Sequence, residues 1–118
     1  MVYNKNKLRE ETIDFAIKVS DACESIKGCS VYVNQLIRSS SSIGANIHEA
    51  RYAQSTPDFI HKLEIALKES SETDYWIELI FRKNKIDEKT YKSLKNDCGV
   101  IRKKLISSIT TVKRYQNI

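Results

Sequence analysis

Proline occurs once in the 118-residue chain and glycine three times. Turn formers this scarce exclude a fold of many short strands and favour a few long helices. No apolar run approaches the roughly 18 residues needed to cross a membrane. The opening stretch, MVYNKNKLREE, has no apolar signal region, so the expected location is cytoplasmic. Cysteines are few and odd in number: Cys23, Cys29 and Cys98. Their spacing suits no metal site, and free, partly buried thiols in a reducing compartment are expected. Histidine is limited to His48 and His61, which leaves little material for a nucleophile with a base beside it. No cofactor and no enzymatic activity are expected.

What the chain does have is helical periodicity. Hydrophobic residues make up 41% of it, enough at this length for one core, so residues 1–118 read as a single domain. A first helix is expected from about Asn6, as N-cap, to Lys27, stopped by Gly28. Its stripe is Leu8, Phe15, Val19, Cys23 and Ile26, widened by Thr12, Ala16 and Ala22. Ser30 is placed to cap a second helix, which runs to about Ala53. Thr56, Pro57 and Asp58 start a third, with Thr56 as cap. Asp87 caps a fourth helix, with Ile86 and Tyr91 as a hydrophobic staple. Four amphipathic helices with short connections pack as an all-α, up-down-up-down antiparallel bundle.

The stretch from Gln35 to Glu49, QLIRSSSSIGANIHE, stands at the centre of this pattern. At about 100° per residue, Val33, Leu36, Ser40, Ile43, Ile47 and Ala50 share one face. Small residues among branched ones allow a neighbouring helix to come close. Across from them stand Arg38, Ser42, Asn46 and Glu49. An Arg–Glu pair with an Asn amide could satisfy its own donors and acceptors in a buried contact, so this group is expected to hold helices or subunits in register.

Helix 3 shows two faces. Leu63, Ala66, Ser70, Thr73, Ile77 and Ile80 form the core stripe. The other carries His61, Glu64, Lys68, Glu72, Tyr75 and Leu79, with Trp76 at its edge, and Glu64–Lys68 and Lys68–Glu72 are spaced to pair. Aromatic surface beyond one stripe indicates either a wider core or a subunit contact, so Glu64, Glu72, Tyr75 and Trp76 join the expected contact residues. A di-iron bundle site requires two Glu-x-x-His motifs; the chain offers only His61-x-x-Glu64, reversed and on the polar face, so no metal is expected.

Charge is divided unevenly along the chain. Residues 1–81 hold nine Lys/Arg against twelve Asp/Glu, and residues 82–118 hold eleven against three. The basic set comprises Arg82, Lys83, Lys85, Lys89, Lys92, Lys95, Arg102, Lys103 and Lys104, followed by Lys113 and Arg114. Part of it recurs at sevens and threes as a helical stripe, suited to phosphates without sequence reading. Tyr91 and Tyr115 are assigned to the core, which leaves no base-stacking platform.

Gln35-Leu36-Ile37-Arg38, Ser42-Ile43-Gly44-Ala45-Asn46-Ile47-His48-Glu49, Ser55, Asp58-Phe59 and Ile65-Ala66-Leu67 together form a recognisable series. The chain resembles the small bacterial four-helix-bundle family known as 23S ribosomal RNA intervening-sequence protein, or S23 ribosomal protein. Relatives include the accessory variability determinant of diversity-generating retroelements. Many members have Pro at the position of Gly44 and Gly at that of Ala50; both departures are compatible with a helix. The resemblance implies a homo-oligomer, typically a five-fold ring, and an association with nucleic acid. It implies no catalytic activity. The resulting expectation is a non-enzymatic homo-oligomer that binds structured RNA or DNA through a basic face on the C-terminal helix; the alternative is a protein–protein scaffold or adaptor that binds no nucleic acid.

Overall fold

The computed structural model describes residues 5–116, with side chains from Lys7 onward. Four helices follow one another: α1 (Lys5–Glu24), α2 (Ser30–Ala50), α3 (Thr56–Arg82) and α4 (Glu88–Gln116). Each packs against its neighbour in sequence, and α4 closes the bundle against α1. The result is an all-α, up-down-up-down antiparallel four-helix bundle. The most extensive packing is between α2 and α3; among adjacent helices α1 and α4 pack least.

The expected stripes are the core. Leu8, Phe15, Val19 and Cys23 of α1 are buried with Leu36, Ile43 and Ile47 of α2, Leu63, Ile77 and Ile80 of α3, and Leu94, Cys98, Ile101 and Leu105 of α4. Small residues set the helix spacing. A Cβ built on Gly44 would stand 2.9 Å from Thr12 Oγ1 and 3.3 Å from its Cβ, so α1 crosses α2 where a side chain is missing. Between α2 and α3, Thr73 Oγ1 donates to the Glu69 carbonyl (2.8 Å) and lies 2.9 Å from Ser39 Oγ. Helical carbonyls thus satisfy the buried hydroxyls, and two backbones come close without an orphaned hydroxyl.

The helix ends depart from expectation at several points. Asn6 lies inside α1, which starts at Lys5, and its side chain is outside the described residues. α1 stops at Glu24 rather than Lys27, because the Ile26 N–H turns back to the Cys23 carbonyl (3.1 Å). Gly28 (φ 80°) and Cys29 (φ 55°) then run left-handed into α2. Cys29 therefore occupies the cap position, with no side-chain cap bond, and Ser30 is the first helical residue. After Ala50 three turn hydrogen bonds from Arg51, Tyr52 and Ala53 tighten the chain to the expected end. The cap of α3 is Ser55, one residue before Thr56: its hydroxyl accepts from the Asp58 N–H (3.2 Å), while the Asp58 carboxylate accepts from the Gln54 N–H (3.2 Å). This reciprocal pair works as a capping box. Asp87 caps α4 as expected, accepting from the Thr90 N–H at 2.7 Å. That bond holds its carboxyl below the usual range.

Candidate nucleic-acid interface

Four carboxylates of the first three helices are folded against the basic fourth. Lys95 lies between Asp74 and Glu78 of α3 (3.1 Å each), Lys104 reaches Glu11 of α1 (2.6 Å), and Lys113 reaches Glu64 of α3 (3.0 Å). In the α3–α4 corner Glu78 is a hub: it accepts from Tyr91 Oη (2.6 Å), Arg82 Nε (2.8 Å) and Lys95 Nζ. Those hydrogen bonds, the Tyr91 one foremost, pull its pKa down to about 2. Burial works against the charge on Lys95, and its bonds to Asp74 and Glu78 overcome that and raise its pKa. Tyr91 stacks on Phe81 at 3.9 Å and is half-buried, as expected of a core edge.

Four members of the expected basic set are therefore already engaged. Arg82, Lys95 and Lys104 face carboxylates, and Lys85 donates to the Lys27 carbonyl (3.0 Å), joining the two turns at that end of the bundle. Lys92 sits in a loose i, i+4 pair with Glu88 at 3.3 Å, both about 70% exposed; such a pair contributes only about 0.3–0.5 kcal/mol and leaves the cation available. Lys83, Lys89, Arg102 and Lys103 are exposed and meet no carboxylate among the described residues. On α4, Lys89, Lys92 and Lys103 lie along the ridge opposite the buried stripe, and the same ridge leads to Arg114. From Lys89 to Arg114 it extends about 37 Å at 1.5 Å per residue.

The polar group on α2 is placed on the α2–α3 seam but does not close on itself. Arg38 and Glu49 are eleven residues apart, about 16 Å along a helix, beyond mutual reach. Instead Arg38 bonds Glu72 (2.8 Å), Glu69 (3.3 Å) and Gln35 (3.1 Å). The Glu69 bond leads in raising its pKa. Glu49 holds Lys62 (3.1 Å), and Asn46 donates to the Ser42 carbonyl (2.8 Å). Arg38 and Glu49 thus join α2 to α3 within one chain, while the Asn46 bond stays inside α2. The expected Glu64–Lys68–Glu72 ladder is likewise replaced: Glu64 is taken by Lys113 and Glu72 by Arg38. Cross-helix cations out-compete a neighbour on the same exposed helix, where pairing is worth least.

Trp76 belongs to the wider core, packed against it and stacked on Tyr32 at 6.0 Å. Tyr75 touches the Trp76 edge and stays 58% exposed. The Trp76 indole N–H and Glu69 Oε1 are buried and have no hydrogen-bond partner among the described residues. Sequence reasoning misplaced Tyr115: it is exposed, not in the core. It continues the α4 stripe three residues past Val112, but Ile109 is the last buried residue of that helix, and the place of Tyr115 in the final turn was the available signal. The thiols of Cys23 and Cys98 are free and pushed up to about 11 and about 12 by burial. No group of three or more His, Cys, Asp or Glu suited to a metal ion occurs among the described residues, and no helix there is long and apolar enough to cross a membrane.

Fold and surface together define a small helical bundle with an exposed cationic ridge. The sequence profile of the family described as 23S rRNA-intervening sequence protein matches residues 4–107. The chain belongs to that family. It is also similar to a solved structure from Bacteroides thetaiotaomicron VPI-5482, described as a protein with unknown function from the S23 ribosomal protein family. The two share 42% identity over 90% of this chain and 97% of that one, with a TM-score of 0.84. No curated protein matches the chain.

Proposed function

We propose that the protein is a non-enzymatic, self-associating bundle that binds structured RNA or DNA through phosphate contacts on the outer ridge of α4. The observation that carries this reading is the set of cations left over after internal pairing: Lys83, Lys89, Arg102 and Lys103, with Lys92 loosely held. Cations that neutralise phosphates release condensed counterions, so binding weakens steeply with salt and carries little sequence preference. Three free thiols are in keeping with a reducing cytoplasm. A titration with structured RNA and duplex DNA at low and moderate salt tests the reading. Saturable binding with a steep negative salt slope supports it; no binding at low salt overturns it.

Self-association is assigned to the α2–α3 face around Tyr75. An exposed aromatic ring at the edge of a packed aromatic pair is the kind of surface a neighbouring subunit covers. Tyr75→Glu is expected to reduce the mass in solution while the helix content stays. An unchanged mass removes this face from any assembly. The scaffold alternative draws on the same aromatic face; capture of one protein partner that survives nuclease treatment would favour it.

A further inference from the structure

The ridge of α4 ends in a pattern that occurs twice in the chain. Arg51-Tyr52 directly follows α2, and Arg114-Tyr115 lies in the last turn of α4. In an up-down-up-down bundle the C-terminal ends of α2 and α4 share one end of the molecule, so both Arg-Tyr pairs emerge there. Their exposure is high, 71% for Tyr52 and 57% for Tyr115. Arg51 and Arg114 are exposed and meet no carboxylate among the described residues.

Elsewhere the aromatics are occupied with one another: Tyr32, Trp76 and Tyr75 form one cluster, and Phe81 stacks on Tyr91. At this end Tyr52 and Tyr115 are exposed. Tyr52 is also braced, because its ring meets His48 edge-on at 5.6 Å and His48 Nδ1 accepts from Arg9 Nε at 3.2 Å. A ring held in place from one side loses little freedom when a flat group stacks on the other.

Resting on the nucleic-acid reading above, we infer that this end of the bundle binds unpaired nucleotides. Bases stack on Tyr52 and Tyr115, and Arg51 and Arg114 hold the adjoining phosphates. Open aromatic rings beside free guanidinium groups are the chemistry that grips single strands, since every base offers a π-face and every linkage a charge. Paired bases hide those faces inside the stack, so the end and the ridge take different parts of a ligand. Arg114 lies about 16 Å along α4 from Lys103. A stem seated on the ridge therefore leads toward the end that takes its unpaired nucleotides.

The test measures affinities of the full chain for poly-uridine and for a blunt duplex at one low salt concentration. It compares wild type with Tyr52→Leu/Tyr115→Leu and Tyr52→Phe/Tyr115→Phe, and thermal melting confirms that all three fold. The Leu variant is expected to lose about 10- to 100-fold for poly-uridine and less than about 2-fold for the duplex. The Phe variant, which keeps the rings, should match wild type on both. Equal losses on both probes, or none for poly-uridine, overturn the stacking site and leave the phosphate ridge standing. If wild type binds neither probe, both readings fall. A mass that drops in the Leu variant with poly-uridine affinity unchanged assigns this end to a second copy of the chain and overturns the site.

Discussion

Lys95 and Lys103 lie on the same helix, two turns apart, and the fold treats them oppositely. Lys95 is half-buried on the flank facing α3, fixed between Asp74 and Glu78. Lys103 is exposed on the outward ridge, with no carboxylate near it. The same contrast holds for Lys104 and Lys113 against Lys89. A count of positive charges along α4 overstates what a ligand can meet. The flanking cations join helices, and only the ridge is left to act outward.

Reversing the ridge should give the largest effect. Lys89→Glu, Lys92→Glu and Lys103→Glu together are expected to abolish measurable nucleic-acid binding while thermal melting stays near wild type. A lowered melting temperature would show that these residues support the fold after all. Next comes a position that serves the fold alone. Gly44→Ala gains about 1 kcal/mol of helix propensity but drives a Cβ into the buried Thr12 side chain. The clash costs about 1–3 kcal/mol, so a net loss of up to about 2 kcal/mol is expected, read by chemical denaturation, with nucleic-acid affinity unchanged per folded molecule.

A flank cation should behave like Gly44, on a smaller scale. Lys95→Met leaves Asp74 without a partner and is expected to cost about 1 kcal/mol, again with binding unaltered; a binding loss equal to that of the ridge variant would erase the contrast. The smallest effect is with acid. The Glu78 carboxyl is depressed from 4.5 to about 2 in the folded chain, so its contribution is complete above the unfolded pKa. It is lost as pH falls from about 4.5 toward 2. Denaturation midpoints at neutral and acid pH should therefore differ less in Glu78→Gln than in wild type. Equal pH dependence would show that Glu78 is not the hub of that corner.

The stripes and the order of the helices were legible because burial of an apolar face repeats every three or four residues, and Leu36, Ile43, Ile47, Leu94 and Leu105 all obey it. Helix ends were less so. Ser55 and Thr56 are both good caps, and only the Asp58 bond decides between them; nothing local announces that Cys29 enters α2 left-handed. Pairing across helices was the least legible. The choice of Glu69 and Glu72 by Arg38 over Glu49 depends on how α2 and α3 approach, as does the withdrawal of Lys95 and Lys104 from the basic set. Tyr115 shows the reverse error: an aromatic in the last turn of a helix lies beyond the core that its stripe serves.

The most direct measurement is the salt dependence of duplex binding for two variants beside wild type. One replaces the ridge cations Lys89, Lys92 and Lys103 by Gln, and the other replaces the flank cation Lys95 by Gln. Each phosphate contact contributes about 0.9 to the slope of log affinity against log salt. The ridge variant should therefore lose about 2.7 of that slope, and Lys95→Gln should keep the wild-type value. A slope that drops with Lys95→Gln, or holds when the ridge is neutralised, would mean that the cations left free by the fold are not those that meet the phosphates.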